Sequence, residues 1–316
     1  MADLSVNLAG LKLRNPTVLA SGFMDETAES MIRCVEAGAG AVVTKSIGMK
    51  SRTGHPNPTV VEVEGGLLNA MGLPNPGIDK YAHDVEQAVK KGVVTIGSIF
   101  GGTNEEFAHL SKKMEQAGAH AIELNLSCPH AQGYGTDIGA EPALVRSVCK
   151  AVTDVVSVPV FAKLTPMVQK IDECALAAVA GGAHGITAIN TMRGMSIDVD
   201  THQPILGNRV GGLSGPAIRS IGVRCVYEIY AAFQQKGIKA PIMGVGGIES
   251  GRDAIEYILA GADAVQLGTV LVKQDYAAFG KVVGEMTEWM RKRGVKNLAD
   301  LKGAAHRVAR QLSAPV

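Results

Sequence analysis

One cysteine stands apart from the others as the residue most open to chemistry in this 316-residue chain. Cys128 lies in Asn125-Leu126-Ser127-Cys128-Pro129-His130, directly after an aliphatic run and ahead of Ala131-Gln132-Gly133-Tyr134-Gly135. A thiol on a glycine-containing loop of this kind is placed where a lid can carry it onto a bound molecule. Three roles fit that placement: the thiolate takes a proton as a general base, it attacks a carbonyl with His130 as partner, or it stays inert. Against the second, residues two apart on an extended segment need not touch, and no oxyanion motif accompanies them. The other four cysteines, Cys34, Cys149, Cys174 and Cys225, fall in helix-like segments and read as small core residues. None of the five forms a C-x-x-C pair, so no disulfide framework, zinc site or iron–sulfur cluster is expected within the chain, and no metal ligands are assigned.

Two lysines add a second kind of signal. Lys45 ends Ala41-Val42-Val43-Thr44-Lys45 and Lys163 ends Val160-Phe161-Ala162-Lys163, both otherwise apolar. An ammonium taken out of water needs an anionic or carbonyl partner, because unpaired it is costly or gives up its proton. Ser21, Ser46, Ser98, Asn125, Thr165 and Asn190-Thr191 sit at equivalent run ends. Gly244-Val245-Gly246-Gly247 opens a helix and Gly268-Thr269 follows the last apolar run, so backbone N–H groups there can converge on a phosphate. That feature is shared by many barrels that bind phosphorylated ligands or FMN.

These residues need elements to hold them at one end of a fold. Four segments repeat a helix-ending glycine, an alanine and then an aliphatic strand: Gly38-Ala39-Gly40-Ala41-Val42, Gly118-Ala119-His120-Ala121-Ile122, Gly182-Ala183-His184-Gly185-Ile186 and Gly261-Ala262-Asp263-Ala264-Val265. Between them, apolar runs at 17–20, 93–99, 158–164 and 241–245 supply the alternate strands. Residues 105–117, 142–155, 218–233 and 253–259 carry apolar side chains at three- and four-residue spacing and predict amphipathic helices. Eight strand–helix units predict an α/β fold, a (βα)8 TIM barrel formed by residues 1–316 as one domain, with its active-site loops at the C-terminal face. The alternative, a doubly wound open sheet, would want G-x-G-x-x-G after the first strand, and none is present. Residues 49–77 are too long for an ordinary connection and are expected to fold over the barrel mouth, and residues 128–140 to form the lid.

Composition bounds the partners. The chain is 46% hydrophobic and 4% aromatic, with 38 glycines, which suits a large aliphatic core with tight turns. Lysine plus arginine (31) nearly balance aspartate plus glutamate (30), so no overall field attracts nucleic acid or an anionic membrane. No apolar run approaches the roughly 20 residues that span a bilayer, and the first residues lack a basic segment followed by an apolar one. A cytoplasmic protein acting on a small molecule is expected.

Taken together, Asn125-Leu126-Ser127-Cys128-Pro129, Asn69-Ala70-Met71-Gly72-Leu73-Pro74-Asn75, Phe161-Ala162-Lys163-Leu164-Thr165-Pro166, Asn190-Thr191 and Gly211-Gly212-Leu213-Ser214-Gly215-Pro216-Ala217-Ile218 resemble class 1 dihydroorotate dehydrogenases along essentially the whole chain. The resemblance implies an FMN-containing barrel, usually dimeric, that oxidises dihydroorotate to orotate in pyrimidine (UMP) biosynthesis, with Cys128 as catalytic base. It implies that Ser21, Lys45, Ser46, Ser98, Asn125, Lys163, Ile189, Gly215, Gly246, Gly247, Gly268 and Thr269 hold FMN. It places substrate against Lys45, Asn69, Ala70, Met71, Gly72, Leu73, Asn125, His130, Asn190 and Thr191. A carboxylate and a planar imide call for such a cation, backbone N–H groups and side-chain amides. The segment from Asn190 to Asp198 resembles the class 1B branch, whose barrel docks an FAD and [2Fe–2S] subunit in a heterotetramer and passes electrons to NAD.

His130 departs from the pattern, standing where many relatives carry a substrate-binding asparagine. Ser127-Cys128-Pro129-His130 also resembles the flavin domain of dihydropyrimidine dehydrogenases, which reduce uracil and thymine. Against that alternative, Asn69-Ala70-Met71-Gly72-Leu73-Pro74-Asn75 resembles an orotate carboxylate loop, and uracil has no carboxylate. A flavin-binding barrel that serves only in assembly or electron transfer is the non-enzymatic alternative.

Overall fold

The structure, a computed structural model, describes residues 2–127 and 138–307. Eight short parallel strands close into a barrel in sequence order: β1 (Thr17–Leu19), β2 (Ala41–Val43), β3 (Thr95–Ile99), β4 (Ala121–Asn125), β5 (Val160–Leu164), β6 (Gly185–Ala188), β7 (Ile242–Val245) and β8 (Ala264–Leu267). The ring shuts where β8 pairs with β1, Val265 opposite Thr17 and Leu267 opposite Leu19. All eight expected strands are present, in the expected order.

The helices form the outer ring: α1 (Ala28–Glu36), α2 (Ile78–Lys90), α3 (Asn104–Gln116), α4 (Pro142–Thr153), α5 (Ile171–Ala180), α6 (Arg219–Lys236), α7 (Gly251–Ala260), a short α8 (Val270–Gln274) and α9 (Ala277–Lys292). The four repeated glycines, Gly38, Gly118, Gly182 and Gly261, all take positive φ between 90 and 125° and turn the chain out of a helix into a strand. Buried apolar faces such as Phe107, Leu110 and Met114 of α3 pack on the outside of the strands, as their spacing requires. Inside, a separate cluster of Val18, Ala41, Val43, Ile96, Ala121, Phe161, Met243 and Ala264 fills the lower barrel and is stoppered by Leu8, Leu11 and Leu13 of an N-terminal hairpin.

Two segments expected as loops carry regular structure of their own. Within 49–77, Val60–Val63 and Gly66–Asn69 form a hairpin that joins Gly211–Ser214 and Met192–Gly194 in a four-stranded antiparallel sheet beside the barrel mouth. Alternation was weak in Val60-Val61-Glu62-Val63, which hid the strand, but backbone groups in so long a segment need partners and the sheet provides them. The segment expected to form the lid, 128–140, is described only at its end. Residues Ile138–Ala140 form a 3₁₀ turn with Ile138 buried, and Gly139 N donates to Leu126 O at 2.9 Å. The rest of that segment, with Cys128 and His130, lies outside the described residues.

Candidate active site

Polar side chains meet across the upper barrel because strand residues two apart face the same way. Ser21, just beyond β1, shares a hydrogen bond with Ser46 at 3.2 Å, and Ser46 shares another with Ser98 of β3 at 2.8 Å. Asn125, the last residue of β4, donates its Nδ2 to the same Ser46 hydroxyl at 3.2 Å. Asn190, beyond β6, donates to Asn125 Oδ1 at 3.1 Å, and its own Oδ1 accepts from Thr191 N at 2.8 Å. The row fixes the orientation of both amides, and none of its members is fully exposed.

Beside this row is a pocket walled by Ser21, Phe23, Lys163, Ile189, Asn190, Thr191, Ser214, Gly215, Gly246, Gly247, Gln266, Gly268 and Thr269, among others. Its floor carries the charge. Lys163 Nζ lies 3.1 Å from Glu123 Oε1 and 3.2 Å from Gln266 Oε1, and both ionic groups are buried. Glu123 Oε2 accepts from Thr187 Oγ1 at 3.0 Å and from Gln266 Nε2 at 2.6 Å. Its far wall is backbone. A Cβ on Gly247 would stand 2.7 Å from Gly215 O, and one on Gly215 would stand 2.8 Å from Gly66 Cα, so only glycines let these loops approach closely enough to form the backbone cradle on this side of the pocket. Thr269 Oγ1 closes it by donating to Ser214 Oγ at 2.8 Å. The loop ends in α7, held by a capping box in which Ser250 Oγ accepts from Asp253 N and Asp253 Oδ2 accepts from Ser250 N.

The residues expected to hold a flavin phosphate and ring therefore divide. Ser21, Lys163, Ile189, Gly215, Gly246, Gly247, Gly268 and Thr269 line the pocket, while Ser46, Ser98 and Asn125 join it through the hydrogen-bonded row. Lys45 is buried but is not among the lining residues, and its Nζ faces Glu26 at 3.5 Å. Of the expected substrate residues, Asn190 and Thr191 are on the pocket wall. Asn69 reaches that region by donating to Gly212 O at 3.2 Å, whereas residues 70–73 belong to the adjoining segment, where Gly72 and Leu73 take positive φ.

Three buried groups were missed. Glu123, Thr187 and Gln266 sit in aliphatic strands, and the signal was in view: Glu123 precedes Asn125 by two residues, so both must point inward. Asp25 is also fully buried. Its Oδ2 accepts from Gly22 N in the turn after Ser21, and its Oδ1 has no partner among the described residues. Burial pushes its carboxyl up to about 6, against the pull of the Gly22 N–H and of Lys45. Tyr81 donates its hydroxyl to Asp25 O and accepts from Lys45 N, and burial pushes the phenol well above its usual range. Cys34, Cys149, Cys174 and Cys225 are buried in the helix ring as expected.

The donor set fits a phosphorylated, planar ligand: a backbone cradle, a buried cation near the floor and amides able to pair with an imide. The family model for dihydroorotate dehydrogenase matches residues 3–290. The chain is 50% identical over 307 residues to the catalytic subunit of dihydroorotate dehydrogenase B (NAD(+)) of Methanocaldococcus jannaschii, covering 96% of this chain and 98% of that one. It is 47% identical to the protein of the same description from Pyrococcus horikoshii, over 96% and 98% of the two chains. A crystal structure of DHODH from Eimeria tenella in complex with ferulenol superposes with a TM-score of 0.82 at 23% identity, covering 96% of this chain and 89% of the other, which bears on the fold.

Proposed function

This chain belongs to the dihydroorotate dehydrogenase family, and from that membership we propose that it oxidises dihydroorotate to orotate in pyrimidine biosynthesis, with FMN as hydride acceptor. The observation that carries the proposal is the pocket itself, where the Gly215 and Gly247 cradle, the buried Lys163 and the Asn125–Asn190 amide row adjoin one another.

When bound there, FMN would supply a two-electron acceptor for the hydride that leaves substrate C6. The chain's own residues do the rest. Cys128, from the loop after β4, takes the proton from C5 as thiolate, so turnover rises with pH until the thiol is ionised. The glycine cradle and Thr269 would hold the phosphate, and Ser21 with Ser46, Ser98 and Asn125 would set one edge of the ring site. Lys163 would place its positive charge against the ring. Asn69, residues 70–73, Asn125, His130, Asn190 and Thr191 bind the carboxylate and imide, and Lys45 lends its positive charge to the same end of the barrel.

The relatives' description as catalytic subunits of an NAD(+) enzyme supports a second, electron-transfer polypeptide, and the proposal includes FAD and a [2Fe–2S] cluster in that polypeptide and a homodimer of this chain at the centre of the heterotetramer. The five cysteines here lack cluster-binding spacing. No described helix is long and apolar enough to cross a membrane, and a cytoplasmic location is part of the same proposal.

Anaerobic addition of dihydroorotate to the FMN-loaded protein tests the reading directly. Bleaching of the flavin absorbance is expected. A flavin bleached by dihydrouracil and not by dihydroorotate would transfer the chain to pyrimidine-base chemistry, and one bleached by neither would remove the enzymatic proposal.

A further inference from the structure

The charged floor of the pocket contains a residue that no step above uses. Lys163 and Gln266 line the pocket, whereas Glu123 lies beneath them, fully buried, and does not itself line it. Its carboxylate accepts three hydrogen bonds, from Lys163 on β5, Thr187 on β6 and Gln266 on β8, so one side chain of β4 ties together four of the eight strands from inside. We propose that Glu123 is a positioning residue for the flavin reaction: it is the sealed counter-ion that keeps Lys163 charged and turned up toward the flavin ring.

The bonding directions support this assignment. An ammonium has three protons. Among the described residues Lys163 gives one to Glu123 and one to Gln266, which leaves the third for the pocket. The orientation of Gln266 follows from the same charges, since its Oε1 faces the ammonium and its Nε2 faces the carboxylate. Cation, amide and anion thus form a closed triangle with its positive corner at the ligand. The pair is complete before any ligand arrives, which spares the apoprotein an uncompensated buried ammonium. No other acidic side chain approaches Lys163 among its described hydrogen bonds and ion pairs, so nothing else is placed to replace Glu123.

Glu123→Gln is nearly isosteric but cannot fit the triangle. An amide at position 123 turns one N–H₂ group toward a donor: toward Lys163 if placed at the Oε1 site, or toward Gln266 Nε2 if placed at the Oε2 site, where the Thr187 hydroxyl alone can turn to accept. Relief by flipping Gln266 would bring its own N–H₂ against the ammonium. Each arrangement displaces Lys163 or strips its proton. Glu123→Asp keeps the charge but retracts it by one methylene, and Thr187→Val removes a single donor to Glu123 without touching the pocket wall.

The inference rests on the flavin reading, and two measurements separate their failures. In FMN-free protein, the acylation of Lys163 by acetic anhydride, read by peptide mass spectrometry, should be at least tenfold faster in Glu123→Gln than in wild type, since only the uncharged amine reacts. This readout needs no flavin. In the FMN-loaded protein, the dye-equilibrated reduction of the flavin should become at least tenfold less favourable in Glu123→Gln, about 30 mV for a two-electron couple. Glu123→Asp and Thr187→Val should move both readouts the same way by less, and these two variants carry the test if Glu123→Gln does not fold. Unchanged Lys163 acylation and an unchanged flavin potential in folded variants, with only the melting temperature lowered, would overturn the proposal and leave Glu123 a structural tie. Faster acylation in a protein whose wild type holds no flavin would uphold the ion-pair role and sink the flavin reading instead.

Discussion

Replacing Gly247 by alanine tests whether the backbone cradle is the anion site. Gly247 has φ +65°, and a Cβ there would meet Gly215 O at 2.7 Å, Arg219 Cβ at 2.9 Å and Pro216 Cα at 3.0 Å. Two of these neighbours belong to the backbone of the opposite wall, so the change cannot be absorbed by rotating a side chain. A left-handed alanine costs about 1–2 kcal/mol and overpacking about 1–3 kcal/mol, so the apoprotein should lose about 2–5 kcal/mol. The same displacement opens the gap between the two loops. If one charge-assisted bond from a backbone N–H to phosphate is lost, at about 1.5–3 kcal/mol, FMN should bind about 10- to 100-fold more weakly. Gly92→Ala is the control, because Gly92 also has positive φ (+79°) but nothing lies within 4 Å of its added Cβ. It should show the conformational cost and no change in FMN affinity. Thermal unfolding of both apoproteins and titration of FMN fluorescence would measure the two quantities. Gly247→Ala that is no less stable than Gly92→Ala and binds FMN as wild type does would refute the steric argument and the assignment of the cradle.

Further outcomes follow from the buried groups. The carboxyl of Asp25 is held at about 6 in the fold against 3.8 in the unfolded chain, so between those pH values the folded state binds more protons and stability falls as pH rises, by about 3 kcal/mol once above pH 6; the stability gained by Asp25→Asn should therefore grow between pH 4 and 7 in thermal melts, and a pH-independent gain would contradict the burial argument. Burial pushes Cys34 and Cys149 up to about 12 and Cys174 and Cys225 up to about 11, so none should be alkylated by iodoacetamide in native protein at pH 8, and a modified peptide from any of the four would show local opening there. Cys128→Ala should keep FMN and orotate binding yet slow flavin reduction by dihydroorotate about 10²- to 10⁴-fold in stopped flow, and wild-type rates would remove the thiol as base.

How much of this was legible depended on whether the signal was local. The strands β2, β4, β6 and β8 announced themselves through a glycine with positive φ followed by an aliphatic run, because helix exit and strand entry are both decided by neighbours in sequence. The helices at 105–117 and 142–155 were placed within two residues of Asn104–Gln116 and Pro142–Thr153 for the same reason. The four-stranded sheet was not legible, since Gly66–Asn69 pairs with Gly211–Ser214 across some 145 residues and neither segment alternates. In the site, Ser21, Asn125 and the glycines do lie at or just beyond strand ends, but Lys45 and Lys163, given different roles, were both read as strand-end residues. The structure separates them: Lys45 lies beyond its strand and faces the exposed Glu26, whereas Lys163 lies within β5 and is bound to Glu123.

That separation comes from the two-residue period of a barrel strand. Ala121, Glu123 and Asn125 of β4 face inward at successive heights, as do Phe161 and Lys163 of β5 and Ala264 and Gln266 of β8. The lowest height is apolar, and Phe161 packs over Gly185, where an added Cβ would stand 2.4 Å from its ring. The middle height holds Glu123, Lys163, Thr187 and Gln266, and the top holds the serine and asparagine row. With an aromatic floor beneath it and the N-terminal hairpin below that, the ion pair has no aqueous exit downward, so its field is weakly screened and directed to the mouth. A lysine at the outer end of a strand could reach solvent and would be screened by it. A lysine held within its strand, opposite Asn125 in the register and reaching back to a glutamate two residues below that position on the neighbouring strand, stays inside the barrel, where the proposed ring would meet it.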